Sequence, residues 1–376
     1  MLENLSFWEK STYLEGIDFA VVGSGIVGLT AAITFKERYP KAKVIVIERG
    51  VFPSGASTKN AGFACFGSVS ELLEDLETMG TDAVLSLVAQ RWRGLQRLRE
   101  RCGDEQLDFQ AHGGYELFLQ ESETYKECAR QIPFLNEKLA SIIGGTPIFT
   151  KEENVNKFGF GKVKNIIFNR FEGQINPAKM MGRLRFLANE LGIQILTGLT
   201  ITNLVENKDD ISLEIAKAKP IKVAKVLVAT NGFTKKILPN IALQPARNQV
   251  LITEPIPNLK LKGTFHFDQG YYYFRNFENR VLLGGARNQA KIEETTHEFG
   301  LTPLIQDTLM NFLTSVILPN QPFEIAYRWS GILGVGNQKA PIVQKHGAHI
   351  GVAVRLGGMG VAIGSLVGEE GAKLFM

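Results

Sequence analysis

DFAVVGSGIVGLTAAITFKERYPKAKVIVIER, residues 18–49, decides the fold. An apolar, β-rich run ends at Val22 and meets Gly23, Ser24, Gly25, Ile26, Val27 and Gly28. Apolar positions at Leu29, Ala32 and Ile33 then predict a helix, and a second apolar run, Val44 to Ile47, ends in Glu48. In this GxGxxG arrangement Gly23 permits the tight turn and Gly25 lets backbone approach a pyrophosphate held at the helix N-terminus. Gly28 lets helix and strand pack closely. Glu48 is spaced to accept hydrogen bonds from ribose hydroxyls. Strand, turn, helix, strand and acid in register read as a dinucleotide site rather than a glycine-rich turn with an idle acid. Glu48 would repel a 2′-phosphate, which disfavours NADP. The choice between NAD and FAD rests on more of the chain.

A chain of 376 residues exceeds the roughly 250 to 300 residues at which single cores stop growing, so two lobes with a crevice are expected. Its 44% apolar and 21% charged content, with 38 dispersed glycines, is that of a soluble globular protein. The 42 basic and 38 acidic side chains leave a net charge of +4 with no run of like charge, which argues against a nucleic-acid or lipid surface. Cys65, Cys102 and Cys128 form no CxxC. That argues against a disulfide framework or a thiol zinc site and fits a reducing cytoplasm. The uncharged stretch from Phe19 to Phe35 is preceded by Glu15 and Asp18 and interrupted by three glycines. It therefore reads as a buried strand and helix, not a membrane span or a signal peptide.

After Glu48 comes RGVFPSGASTKNAGFACFG, residues 49–67. Here the chain resembles the D-amino acid oxidase, glycine oxidase and sarcosine oxidase family of flavoproteins, whose loop of this type runs from the ribose acid toward the flavin. The likeness continues in family order through GQINPAKMMGRLRFLANELGIQIL (173–196), KVLVATNGFT (225–234), GYYYFRNFENRVLLGGAR (270–287), YRWSGILG (327–334) and RLGGMGVAIGSLVG (355–368). The resemblance implies FAD, an α/β fold with a Rossmann-like nucleotide domain, and an interleaved α+β substrate domain. The FAD domain would comprise residues 1–80, 173–238 and 330–376, and the substrate domain residues 81–172 and 239–329. It also implies cofactor contacts from Gly23, Gly25, Ile26, Gly28, Glu48 and Arg49, and from Ser57, Thr58, Lys59, Asn60 and Gly62. Further contacts would come from Ile201, from Thr230, Asn231 and Gly232, and from Gly357, Gly358, Met359, Gly360 and Val361. A helix starting near Val361 would point its positive end at the ring.

Local patterns are compatible with this layout. Helical spacing runs from Thr81 to Glu100, and Pro177 suits the start of a helix that Gly192 ends. Alternation predicts strands over 193–204 and 211–215, a short buried strand at 226–229, a strand at 271–274 and a helix around 304–316. No second GxGxxG or CxxC offers a relay, so electrons would leave the flavin for oxygen or an external acceptor.

The GYYYFRN segment matches the family strand that covers the flavin. Alternation puts Tyr271, Tyr273 and Arg275 on one face, either a pocket wall or a packed core face with Arg275 at its edge. Lys59 is either a cation beside the ring or a surface lysine. Cys65 reads as a small buried residue. His346 and His349 have no third ligand nearby, so no metal is expected. The family's amino-acid oxidases usually place a carboxylate-binding arginine where this chain has Leu333. Around it WSGILGVGNQKAP looks closer to γ-glutamylputrescine oxidase-like amine oxidases. The resemblance thus implies oxidation of the C–N bond of a small amine or amino acid. The rivals are oxidation of a 2-hydroxy acid and a flavoprotein without small-molecule turnover.

Overall fold

The computed structural model describes residues 4–376, which form two large sheets and two small ones, of three and two strands, with helices packed on them. The first sheet has six strands in the order Ile342–Lys345, Ile350–Val354, Val226–Val228, Phe19–Val22, Val44–Ile47 and Gln194–Leu196. All neighbours are parallel except the first pair. The three central strands with four or fewer residues each are apolar throughout and buried, as expected where both faces of a parallel sheet are covered. On one face lie the helices Ile26–Arg38, Pro177–Glu190 and Gly360–Lys373. On the other, the small antiparallel sheet Ile201–Glu206, Ile211–Ile215 and Ile221–Val223 buries Ile211, Leu213 and Val223 against Ala20 and Ile45.

Local chemistry accounts for the helix ends. Asn176 caps the helix Pro177–Glu190, its Oδ1 accepting from the Ala178 (2.9 Å) and Lys179 (3.2 Å) amides, with Pro177 in the first turn. The helix Ile26–Arg38 has no side-chain cap from Gly25 itself; its first amide, that of Ile26, donates instead to Ser57 Oγ from the loop that follows Glu48. Gly28 is needed for closeness: a Cβ there would lie 1.9 Å from the Gly23 carbonyl oxygen.

The second lobe is built on an eight-stranded sheet. Its order is Ile325–Val335, Gln244–Thr253, Arg280–Gly285, Tyr272–Phe277, Thr264–Phe267, Gly114–Phe118, Asn165–Asn169 and Phe149–Lys151. One face is an aromatic core in which Phe265 stacks on Phe274 (4.8 Å) and on Tyr115 (5.1 Å) under the helix Pro303–Phe312. The other face turns toward the nucleotide lobe.

Near two of the expected boundaries the chain serves both lobes. The helix Thr81–Cys102, expected to open the substrate domain, puts Leu87, Leu95 and Leu98 into the core of the nucleotide lobe and Val84 and Val88 into a core shared with Phe118 and Phe149 of the second sheet. It lies so close to the C-terminal helix that a Cβ on Gly94 would be 2.4 Å from the Ala362 carbonyl oxygen. The return expected at residue 330 falls inside the strand Ile325–Val335, which pairs along its length with Gln244–Thr253. That strand carries residues 330–335 as part of the second sheet. The strand expected at 271–274 begins at Tyr272, and His346 and His349 fall between the strands Ile342–Lys345 and Ile350–Val354.

Candidate active site

Two adjoining cavities open at the C-terminal ends of the parallel strands, where doubly wound sheets bind ligands. The first, about 390 Å³, runs between the strand ends at Val22 and Ile47, the loop 54–57 and the residues Thr200, Ile201 and Thr202. Gly23, Gly25, Ile26, Glu48, Arg49, Ser57, Asn60, Ile201, Thr230, Asn231, Gly358, Gly360 and Val361 all line it. The Ile26 amide donates to Ser57 Oγ at 3.0 Å, marking the polar end of the helix. Glu48 is buried and preorganised. Its Oε2 accepts from the Ser24 amide (3.1 Å) and hydroxyl (2.8 Å), and its Oε1 from the Gly50 amide (3.0 Å) and the Ser54 hydroxyl (2.9 Å). The Arg49 guanidinium lies 3.6 Å from the centroid of the Phe233 ring.

The second cavity, about 830 Å³, shares Ala56, Asn60, Leu333, Gly358 and Val361 with the first and continues into the second lobe. Lys59, Gly62, Gly357 and Met359 line it, as do Tyr271 and Tyr273. Tyr273 pairs with His266 across the sheet, and the Phe63 ring stands edge-on to both. Burial pushes the Tyr273 phenol up to about 12, so it is a neutral hydrogen-bonding group at physiological pH. Gly357 and Gly358 take left-handed φ of 58° and 88° immediately before the helix Gly360–Lys373, whose first turn faces the junction of the two cavities. Asn231, itself at φ 44°, fastens this turn by accepting from the Arg355 amide at 3.0 Å.

Four residues expected at the site, Gly28, Thr58, Gly232 and Arg275, line neither cavity. Thr58 points outward and donates to the Pro53 carbonyl at 2.7 Å. Gly232 is a packing position, where a Cβ would lie 2.4 Å from the Leu333 carbonyl oxygen. Arg275 shares a sheet face with Tyr273, but two residues, roughly 6.6 Å, further along the strand carry it beyond the cavity and behind Gly62. There it is 3% exposed, its Nε has no partner, and burial lowers the guanidinium to about 10 against the charge of Asp108. Gly28, expected both to pack closely and to contact the cofactor, has its Cβ position filled by the Gly23 carbonyl.

Other lining residues escaped the sequence reading. Glu71 and Asp75, on the helix Val69–Met79, face Lys339 across the larger cavity at 3.5 and 2.6 Å. Burial raises Asp75, with Lys339 opposing. His266 donates or accepts at 2.8 Å with Glu172, which is buried beneath it. Burial would lower the imidazole, but Glu172, Glu116 and Glu71 together turn the net shift upward. Spacing could not reveal these pairs, because their members come from distant segments. Lys59 has its ammonium 5.3 Å from the Phe299 ring centroid, and its carbonyl accepts from Trp329 Nε1 at 2.9 Å.

A glycine-turn cradle at a helix start, a buried ribose-spaced acid and a second cavity continuing from the first define a dinucleotide-dependent oxidoreductase. The pattern of the family described as FAD dependent oxidoreductase matches residues 18–374, and the chain belongs to that family. It is an FAD-dependent enzyme, and the residues present fit the cofactor. Among curated relatives, a probable oxidoreductase, OrdL, of Haemophilus influenzae is 22% identical over 387 residues, covering 97% of this chain and 84% of that protein. The bifunctional protein ThiO/ThiG of a Synechocystis strain is 22% identical over 302 residues. That match covers 77% of this chain and 41% of the bifunctional protein. Similar solved structures include glycine oxidase from Geobacillus kaustophilus (TM-score 0.76, 18% identity, 95% of this chain and 94% of that one). L-proline dehydrogenase from P. horikoshii is another (TM-score 0.74, 19% identity, 96% and 94%). Among the described residues no helix is long and apolar enough to cross a membrane.

Proposed function

We propose that the enzyme oxidises the C–N bond of a small amine or amino acid in the larger cavity, with oxygen or an external acceptor taking the electrons. The observation that carries this reading is the continuity of the two cavities through Asn60, Leu333, Gly358 and Val361. It leaves room for a substrate beside the redox end of the cofactor. When bound, FAD supplies the capacity to take two electrons as a hydride. The protein's own residues supply the rest. Tyr271, Tyr273 and Leu333 form a low-dielectric wall that favours the unprotonated amine, so no dedicated base is invoked. Tyr273 can orient the amine by hydrogen bonding. The positive end of the helix Gly360–Lys373 favours negative charge at the cavity junction. Three buried free cysteines suit a reducing compartment such as the cytoplasm.

The test is an anaerobic absorbance titration of the flavin-loaded protein with D- and L-amino acids, N-methyl amino acids, polyamines and 2-hydroxy acids. Bleaching by an amine class, with ammonia or a primary amine released on turnover, is the expected result. Reduction only by 2-hydroxy acids would replace this reading with its closest rival, and a flavin that no compound reduces would favour a role without small-molecule turnover.

Leu333 adds a prediction about specificity. It lines both cavities, where a leucine offers a carboxylate nothing. Leu333→Arg is expected to improve kcat/KM for α-amino acids over amines lacking a carboxylate by roughly tenfold or more, the equivalent of one charge-assisted pair. An unchanged ratio, measured with matched substrate pairs, would show that the carboxylate is bound elsewhere.

A further inference from the structure

We propose that Cys65, Glu172 and His266 form a binding site for one divalent cation of the zinc class in the wall of the larger cavity. The three come from separate segments: the end of the strand Phe63–Ala64, the turn after Asn165–Asn169, and the strand Thr264–Phe267. Their ligand atoms, a thiol sulfur, a carboxylate oxygen and an imidazole nitrogen, all lie within 4.8 Å of one another. All three side chains are buried, while Cys65 and His266 also line the cavity.

Sulfur, nitrogen and oxygen donors in one cluster match the zinc ligand set, and three protein ligands leave a fourth position open. A thiolate and a carboxylate together balance a 2+ ion, so an occupied site would bury no net charge. Binding breaks the Cys65 S–H bond, its proton passing to solvent, and the cation displaces the proton between His266 Nε2 and Glu172, which moves to Nδ1 of a neutral ring or leaves an imidazolium for solvent, so that His266 ligates as the neutral imidazole. The carboxylate is already oriented from behind. Thr264 Oγ1 donates to its Oε2 at 2.9 Å and Asn169 Nδ2 to its Oε1 at 3.2 Å. Such outer contacts are what hold a ligating carboxylate in place. His266 is fixed by its place in the sheet, between Glu116 and Tyr273. Cys65, His266 and Tyr273 line the same cavity, so an occupied site would stand in its wall.

The test uses the flavin-loaded protein and does not depend on any substrate. Cadmium, a thiophilic zinc analogue, is titrated while the ultraviolet thiolate-to-metal charge-transfer band is followed. Zinc is added separately in thermal melts. The expected result is a one-equivalent endpoint and a zinc-dependent rise in melting temperature, both lost in Cys65→Ser and both kept in Cys102→Ser. His266→Gln is expected to weaken binding at least about tenfold. Absence of a stoichiometric band in the wild type, or its survival in Cys65→Ser, would overturn the proposal.

Discussion

Gly28→Ala is expected to give a protein that purifies with little or no flavin and melts well below the wild type. The added methyl would sit 1.9 Å from the Gly23 carbonyl oxygen and 3.1 Å from a Val21 methyl. Neither neighbour can yield. Gly23 is tied to the sheet by its amide, which donates to the Ile47 carbonyl at 2.8 Å, and Val21 lies in the strand Phe19–Val22. Relief requires the helix Ile26–Arg38 to move away from the strand, but that helix is clamped from behind by Gly360–Lys373. A Cβ on Gly368 there would already be 2.6 Å from the Val27 carbonyl oxygen. Overpacking of this kind costs about 3 kcal/mol, and displacement of the helix start would move away the helix end that would hold a pyrophosphate. The ratio of flavin to protein absorbance and a thermal melt measure the two effects. Normal flavin content together with an unchanged melt would show that the turn adapts, and that the closeness of helix and strand is not what the cofactor requires.

Arg247→Ala is expected to destabilise the second lobe by about 3 to 5 kcal/mol, because it strands a buried carboxylate. Glu294 accepts from Arg247 Nε and Nη2, both at 2.9 Å, and also from Gln249 Nε2 (3.0 Å) and Thr302 Oγ1 (3.2 Å). The Glu294 side chain is 1% exposed. Burial pushes its carboxyl upward, but these donors and the arginine charge outweigh it and hold the carboxyl below the usual range. A carboxyl held low in the folded state contributes stability that is present above its unfolded value, about 4.3, and is lost as pH falls through the lower folded value. Without Arg247 the carboxyl gives up that depression, so the deficit of the variant is expected to be largest near neutral pH and to shrink on acidification. The double variant Arg247→Met/Glu294→Leu should recover much of the loss, since an apolar pair of similar volume often replaces a buried ion pair without penalty. Urea unfolding at several pH values checks both statements. A deficit that does not vary with pH would assign the cost to lost packing instead of the orphaned charge.

Much of the nucleotide lobe is legible in local sequence because its determinants are local. The turn glycines, the helix start at Ile26 and the acid after Val44–Ile47 lie within about thirty residues of one another, and each acts through backbone geometry that a one-dimensional pattern encodes. Asn176 and Pro177 announce their helix in the same way. The substrate side is less legible because its walls are assembled from both sheets. Alternation places Arg275 and Tyr273 on one face, but how far along the strand the cavity extends is decided by the loop at Gly62 that lies over it. Helical spacing identifies Thr81–Cys102 as an amphipathic helix, yet only its packing shows that the apolar face divides between the two lobes, with Gly94 seated closely on the C-terminal helix.

The sequence by itself determined that this chain builds a dinucleotide cradle, and its resemblance to a family of flavoproteins set the expectation that Leu333 stands where a carboxylate-binding arginine is usual. Both depend on residues close together in the chain or in a fixed order of blocks. Only the tertiary structure decided that Lys339 faces Glu71 and Asp75 across the larger cavity, and that Cys65, Glu172 and His266 meet in its wall. Those groupings depend on how two lobes, each threaded by the chain more than once, close against each other. No spacing rule reaches across such separations, because proximity there is set by packing of the sheets and not by the length of chain between the residues.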